Sequence, residues 1–118
     1  MAYPERVVIT ETGMRDGLQN EKQTVPTDIK VGLGNRLLDA GIKQLEATSF
    51  VSPKWVPQMA GSGDVVARIN RADGVRYGAL TPNMRGYADA IAAGADEIAI
   101  FGSASEGFSQ KNINASIA

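Results

Sequence analysis

Runs of β-branched residues alternate with helix-like runs along all 118 residues, and this alternation predicts an α/β fold with a parallel sheet. Two further observations support it. Three helical segments are followed by a glycine, Gly41, Gly74 and Gly94, and each turns within a few residues into a β-rich run, as repeated right-handed βαβ crossovers require. Polar clusters gather where those β-rich runs end, which is where parallel α/β folds assemble their chemistry.

Arg6 to Thr12 reads as the first strand, buried through the β-branched run Arg6-Val7-Val8-Ile9. Pro26-Thr27 opens a helix in which Ile29, Leu33 and Leu37 fall on one face at i, i+4 and i+8, closed by Gly41. Gly32 and Gly34 weaken that helix by about 1 kcal/mol each relative to Ala, so it relies on packing. Lys43 to Ser49 is the second strand, followed by the Pro-bounded segment Pro53 to Pro57. Gly61-Ser62-Gly63 meets neither the P-loop nor the dinucleotide spacing and reads as a hinge. It leads into a helix from Ser62 to Arg71 with Val65, Val66 and Ile69 inward, and Asp73-Gly74 turns the chain back. Val75 to Thr81 is the third strand. Asn83 is a suitable N-cap for a helix to Ala93 in which Tyr87 and Ile91 share a face, and Gly94 supplies the stop. Asp96 to Gly102 is the fourth strand, and Asn112 to Ala118 reads as the start of a fourth helix.

The expected architecture is one domain over residues 1–118 with four parallel strands and about three complete helices. A full (β/α)8 barrel takes about 250 residues, so the chain is read as the N-terminal half of a TIM barrel, cut before the second half. Such an open sheet leaves the Arg6–Thr12 and Asp96–Gly102 strands as bare edges. The isolated chain is therefore expected to aggregate, to pair through its edges as a homo-oligomer, or to be a segment of a longer protein.

Composition narrows the function. With 12 Lys and Arg against 13 Asp and Glu, the net charge is -1 and the signs are scattered. That leaves no basic stripe for nucleic acid and no cationic face for a membrane. No apolar run approaches the roughly 18 residues of a membrane span, and Met1-Ala2-Tyr3-Pro4-Glu5 lacks the regions of a signal peptide. A cytoplasmic location is expected. The absence of Cys removes disulfides and thiol nucleophiles, and the absence of His removes the commonest general base.

The densest chemistry lies in Thr10-Glu11-Thr12-Gly13-Met14-Arg15-Asp16-Gly17-Leu18-Gln19-Asn20-Glu21, a Gly-bounded turn after the first strand. By residue type alone, Asp16 is either an oxygen ligand for a hard divalent cation or a loop carboxylate capping backbone N–H groups. Arg15 offers a permanently charged fork of donors to a carbonyl or an enolate oxygen, or else forms a structural ion pair with Asp16 or Glu46. Glu46, at the end of the second strand, could orient Arg15, take part in proton transfer, or line the barrel neutralised by an Arg. Glu11 reads as an ion-pair partner at the end of the first strand.

Arg15-Asp16-Gly17-Leu18-Gln19-Asn20-Glu21-Lys22 resembles the signature of metal-dependent lyases and synthases built on a TIM barrel. Within them it is closest to the 3-hydroxy-3-methylglutaryl-CoA lyase family. The resemblance continues through Glu46 to Met59, Leu80-Thr81-Pro82-Asn83, Phe101 to Glu106 and Lys111 to Asn114, almost the whole chain. It implies metal-dependent cleavage of 3-hydroxy-3-methylglutaryl-CoA to acetyl-CoA and acetoacetate. It further implies Asp16 as a ligand of Mg2+ or Mn2+, Arg15 and Glu46 as catalytic groups, and Arg15 and Gln19 as contacts to the acyl group. Lys22, Lys111 and Asn112 become contacts to the CoA arm, although an exposed Lys is usually only a solvated charge. The family's His ligands and catalytic Cys loop belong to a later region, so the 118-residue chain alone is expected to be inactive. Gly13-Met14 stands where family members often have Gly-Pro. The alternatives are a related Claisen-type synthase, of the isopropylmalate or citramalate kind, and a non-catalytic half-barrel.

Overall fold

The computed structural model describes all residues from Met1 to Ala118. Three parallel strands, β1 (Gln44–Ser49), β2 (Arg76–Leu80) and β3 (Glu97–Ala99), form one sheet in the order β1-β2-β3. Four α-helices accompany them: α1 (Thr27–Asp39), α2 (Ser62–Arg68), α3 (Met84–Ala93) and α4 (Glu106–Ile113). A π-helical turn at Gly13–Gly17 precedes α1, and a 3-10 turn at Pro57–Met59 precedes α2.

The α/β class with a parallel sheet holds, but the expected fourth strand does not form. Residues 6–10 are unpaired and only Glu11 bridges to the sheet, opposite Leu45. That bridge sets the cause. In a parallel register running back from Glu11 and Leu45, Val7 to Ile9 fall beside the turn that precedes β1, where there is no ladder to join. Val7, Val8 and Ile9 are consequently 72%, 71% and 74% exposed. The last strand is likewise shorter than the expected Asp96–Gly102, because β3 pairs with β2 only from Glu97 to Ala99.

The core is the helix-facing side of the sheet, where Leu45, Ala47 and Tyr77 meet Val65, Val66, Ile69 and Met14. Val65, Val66 and Ile69 point inward as expected, though α2 ends at Arg68 and Ile69 is already extended. In α1 the expected face is displaced. Ile29 and Leu33 are exposed, and Lys30, Val31 and Gly34 are the buried positions. Gly34 explains the rotation: a Cβ there would stand 2.4 Å from Ile69 Cδ1 and 3.0 Å from Met14 Sδ, so the missing side chain lets α1 close onto the core. The face shared by Tyr87 and Ile91 in α3 is also half-exposed, and Gly86 and Ala90 pack inward.

Helix ends follow local chemistry. Asn83 Oδ1 accepts from Gly86 N at 2.9 Å, and Gly94 stops α3 with a φ of 94° that only glycine adopts freely. The fourth helix starts at Glu106 rather than Asn112. Ser105 Oγ caps it by accepting from Phe108 N, and Asn114 ends it in the left-handed region, leaving residues 115–118 outside any helix. Between β1 and α2 the chain runs over the surface, carrying the single Trp, Trp55, at 79% exposure. Ser62 anchors the end of that loop, its hydroxyl lying 2.8 Å from Thr48 Oγ1 and donating within reach of the Ser49 and Met59 carbonyls.

Candidate functional site

The π-helical turn opens at the carboxyl side of the Glu11 bridge, so its charged residues stand beside β1. Glu11 Oε1 accepts from Gly13 N at 2.6 Å and fixes the entry to the turn. Glu11 is therefore a backbone cap here and not the ion-pair partner that its position suggested. Met14 is buried in the core and anchors the turn from below.

Arg15 Nε donates to Glu46 Oε1, and its Nη1 donates to Asp16 Oδ1 at 3.2 Å. The two carboxylates differ in setting. The Arg15 and Glu46 side chains are 21% and 15% exposed, whereas Asp16 is 62% exposed. Glu46 thus holds the inner edge of the guanidinium, while Asp16 faces water. Of Arg15's five donors, those not engaged stay available on the open side.

Other sequence-expected residues fall in different places. Gln19 is half-buried in the helical turn that continues the π-turn, and Lys22 is exposed beyond it. Lys111 and Asn112 lie on the exposed side of α4, where Asn112 Nδ2 donates to Phe108 O at 2.9 Å within the helix. The structure brings Arg15, Asp16 and Glu46 together, and no contact joins Lys111 or Asn112 to them. No three His, Cys, Asp or Glu side chains gather as a metal site, and Asp16 is the exposed carboxylate of the turn. A hollow of about 950 Å³ between the loop after β1 and α3 is lined by Phe50, Lys54, Asp64, Asn83, Arg85 and Asp89, with Arg15 and Glu46 outside it.

Two supporting contacts had no signal in the sequence. Gln58 Nε2 donates to Glu21 O at 3.0 Å, tying the 3-10 turn to the chain just after the charged turn. Lys30, 3% exposed, donates from Nζ to the carbonyls of Gln58 and Ala60. Burial pulls its pKa below the ordinary lysine value. A lone Lys near a helix start reads as a solvated charge, and only the loop packed over it reveals otherwise.

Glu46 lies in the middle of β1 and not at the strand end where the sequence put it, because pairing with β2 continues from Gln44 to Ser49; a parallel βα repeat with an Arg-Asp turn beside that strand defines an α/β protein. Residues 6–118 match the HMGL-like family, and the chain belongs to that family. A mitochondrial hydroxymethylglutaryl-CoA lyase of Gallus gallus is 56% identical over 116 residues, covering 98% of this chain and 39% of that protein. A solved HMG-CoA lyase of Brucella melitensis superposes with a TM-score of 0.90 at 64% identity, covering 97% of this chain and 40% of that one. A third, an HMG-CoA lyase of Acinetobacter baumannii in complex with coenzyme A and 3-methylmalate, has a TM-score of 0.92 at 37% identity and covers 98% of this chain and 38% of that one. The chain thus spans about two fifths of the length of these relatives. Relatives named as mitochondrial and as cytoplasmic both match, so the expected cytoplasmic location does not follow from the family. No helix is long and apolar enough to cross a membrane.

Proposed function

We propose that this chain supplies the first part of a TIM-barrel lyase that cleaves 3-hydroxy-3-methylglutaryl-CoA to acetyl-CoA and acetoacetate. The observation that carries the reading is the pair that Arg15 of the π-helical turn makes with Glu46 of β1, in a chain of the HMGL-like family. Cleavage breaks the bond between C2 and C3 of the acyl chain. The C3 hydroxyl gives up its proton, C3 becomes the ketone of acetoacetate, and the bonding pair passes to C2 as the enolate of acetyl-CoA, which is then protonated. Negative charge therefore builds on the thioester oxygen. In this reading Arg15, paired with Glu46, donates to that oxygen as charge develops, a type of stabilisation that is usually the largest single contribution to such steps.

Asp16 is the exposed oxygen donor beside Arg15. In this reading it is one ligand of the Mg2+ or Mn2+ that the whole protein uses, with the remaining donors outside these residues. Gln19 supports the acyl group, and Lys22, Lys111 and Asn112 offer hydrogen bonds to the CoA arm across the rim. Support for an acyl-CoA comes from the relative solved with coenzyme A.

The test is release of acetyl-CoA and acetoacetate by a protein of the relatives' length carrying this chain. Arg15→Gln is expected to lower kcat by about 100-fold or more. An unchanged rate, or condensation of acetyl-CoA with a 2-oxo acid in place of cleavage, would reject the lyase reading. In this reading the 118 residues alone are inactive, because the remaining donors to the Asp16 metal are not among them. Turnover by this segment that disappears with Arg15→Gln would mean instead that its own residues complete the site.

A further inference from the structure

Lys30 is 3% exposed in α1, yet no carboxylate forms an ion pair with it. A buried ammonium without a counter-ion is costly, and a methionine of similar length would fill the same space without that cost. What the lysine supplies is donors, three on one nitrogen. Its Nζ donates to Gln58 O and, at 3.1 Å, to Ala60 O, and neither carbonyl accepts from any other group. The chain beyond is equally tight on α1: a Cβ on Gly61 would stand 2.6 Å from Thr27 Oγ1. Residues 58–61 are therefore seated on the first turn of α1.

From that seat Gln58 reaches on, its Nε2 donating to Glu21 O at 3.0 Å. Support for the charged turn is uneven. Its start is held by Glu11, by buried Met14 and by the Arg15–Glu46 pair. Residues 18–22 bond among themselves and back to the turn, Asn20 N to Gly17 O, Glu21 N to Leu18 O and Asn20 Nδ2 to Asp16 O. The Gln58 amide is the one hydrogen bond that another element makes to the stretch carrying Gln19 and Lys22.

We propose that Lys30 and Gln58 are positioning residues for the acyl-CoA: Lys30 seats the Pro57–Ala60 segment on α1, and Gln58 reaches from it to set residues 18–22, with Gln19 and Lys22, against the substrate. What the stretch binds rests on the lyase reading; the tether itself does not. The CoA arm is remote from the bond that breaks. A contact to it acts alike in ground and transition states and shows in KM rather than kcat.

The test uses a protein of the relatives' length carrying this chain. Lys30→Met and Gln58→Met are each expected to raise KM for 3-hydroxy-3-methylglutaryl-CoA about tenfold, with kcat within about twofold. Amide exchange at Asn20 and Glu21 is expected to quicken in both variants, while Leu45 and Tyr77 in the sheet keep their rates. A lysine that only satisfies loop carbonyls would lower the thermal midpoint on Lys30→Met and leave KM and those two amides unchanged, which overturns the proposal. Wild-type KM and wild-type exchange at Asn20 and Glu21 in Gln58→Met overturn it as well. Should Lys30→Met fail to fold, Gln58→Met, at a half-buried position, decides alone. A wild-type protein that does not cleave the thioester rejects the lyase reading, and the exchange rates still decide the tether.

Discussion

Arg15 touches two carboxylates, and their exposures decide which matters for stability. Water screens the Asp16 contact, at 62% exposure, far more than the Glu46 contact at 15%. A charge-assisted hydrogen bond in the drier setting contributes about 1.5–3 kcal/mol. Glu46→Gln is therefore expected to lower unfolding free energy by about 1–3 kcal/mol in urea, and Asp16→Asn to leave it within about 0.5 kcal/mol. Equal losses for the two would show that Glu46 does not organise the guanidinium. Lys30 offers a test by pH. Its ammonium is held below the ordinary lysine value of 10.5 by burial. At pH values below that lowered pKa both folded and unfolded chains keep the proton, and the cost of burying the charge is borne in full. Between the lowered pKa and 10.5 the unfolded chain holds the proton and the folded chain does not, so stability rises with pH across that window. Measured against Lys30→Met, the wild-type urea midpoint is expected to gain as pH is raised through that window toward 10.5. A constant difference would mean that the Lys30 ammonium is not desolvated.

Two helix glycines should respond to the same substitution with opposite signs. A Cβ at Gly32 meets nothing within 4 Å, so Gly32→Ala is expected to stabilise by about 0.8–1 kcal/mol through helix propensity. At Gly86 a Cβ would stand 2.6 Å from the Phe50 carbonyl oxygen and 3.3 Å from Phe50 Cβ. Backbone cannot swing aside as a side chain can, so Gly86→Ala is expected to cost about 1–3 kcal/mol. Thermal midpoints of both variants check the pair, and a stabilised Gly86→Ala would mean that α3 does not press on the loop after β1. What the sequence made legible follows the same division between local and distant causes. Asn83 and Gly94 bound α3 as expected because a cap is made within one turn of chain. Ser105 is an equally local cap, and it starts α4 at Glu106, ahead of the Asn112 start that the sequence suggests. Ile29, Leu33 and Leu37 mark an apolar stripe correctly, but which stripe meets the core depends on Gly34 facing Ile69, a residue far along the chain. Val7 to Ile9 have strand propensity and no ladder, since pairing is decided by a register that propensity cannot see. The charged turn was visible as a Gly-bounded Arg-Asp pair; Glu11 capping Gly13 was not, because it is a contact to backbone.

At the scale of the molecule, stability is unevenly distributed. β1 and β2 share the longest ladder and bury Leu45, Ala47, Tyr77 and Ala79, whereas α4 and residues 114–118 are largely exposed. Amide exchange is expected to be slowest at those four central positions and fastest in residues 114–118, where opening needs little exposure of apolar surface. Faster exchange in β1 than in α4 would place the stable centre elsewhere. Tyr77 belongs to that centre: its hydroxyl donates to Asn70 O at 2.7 Å, and the Arg71 guanidinium lies 4.3 Å from the ring centroid. Trp55 does not, standing 79% exposed on the loop after β1. The two rings therefore report different events in a fluorimeter. Indole emission should start at the long wavelengths of a water-bathed ring and stay there as the core melts, so it is blind to unfolding, while anything settling on the loop would dim it or shift it blue. The phenol of Tyr77 is the chromophore that follows the core.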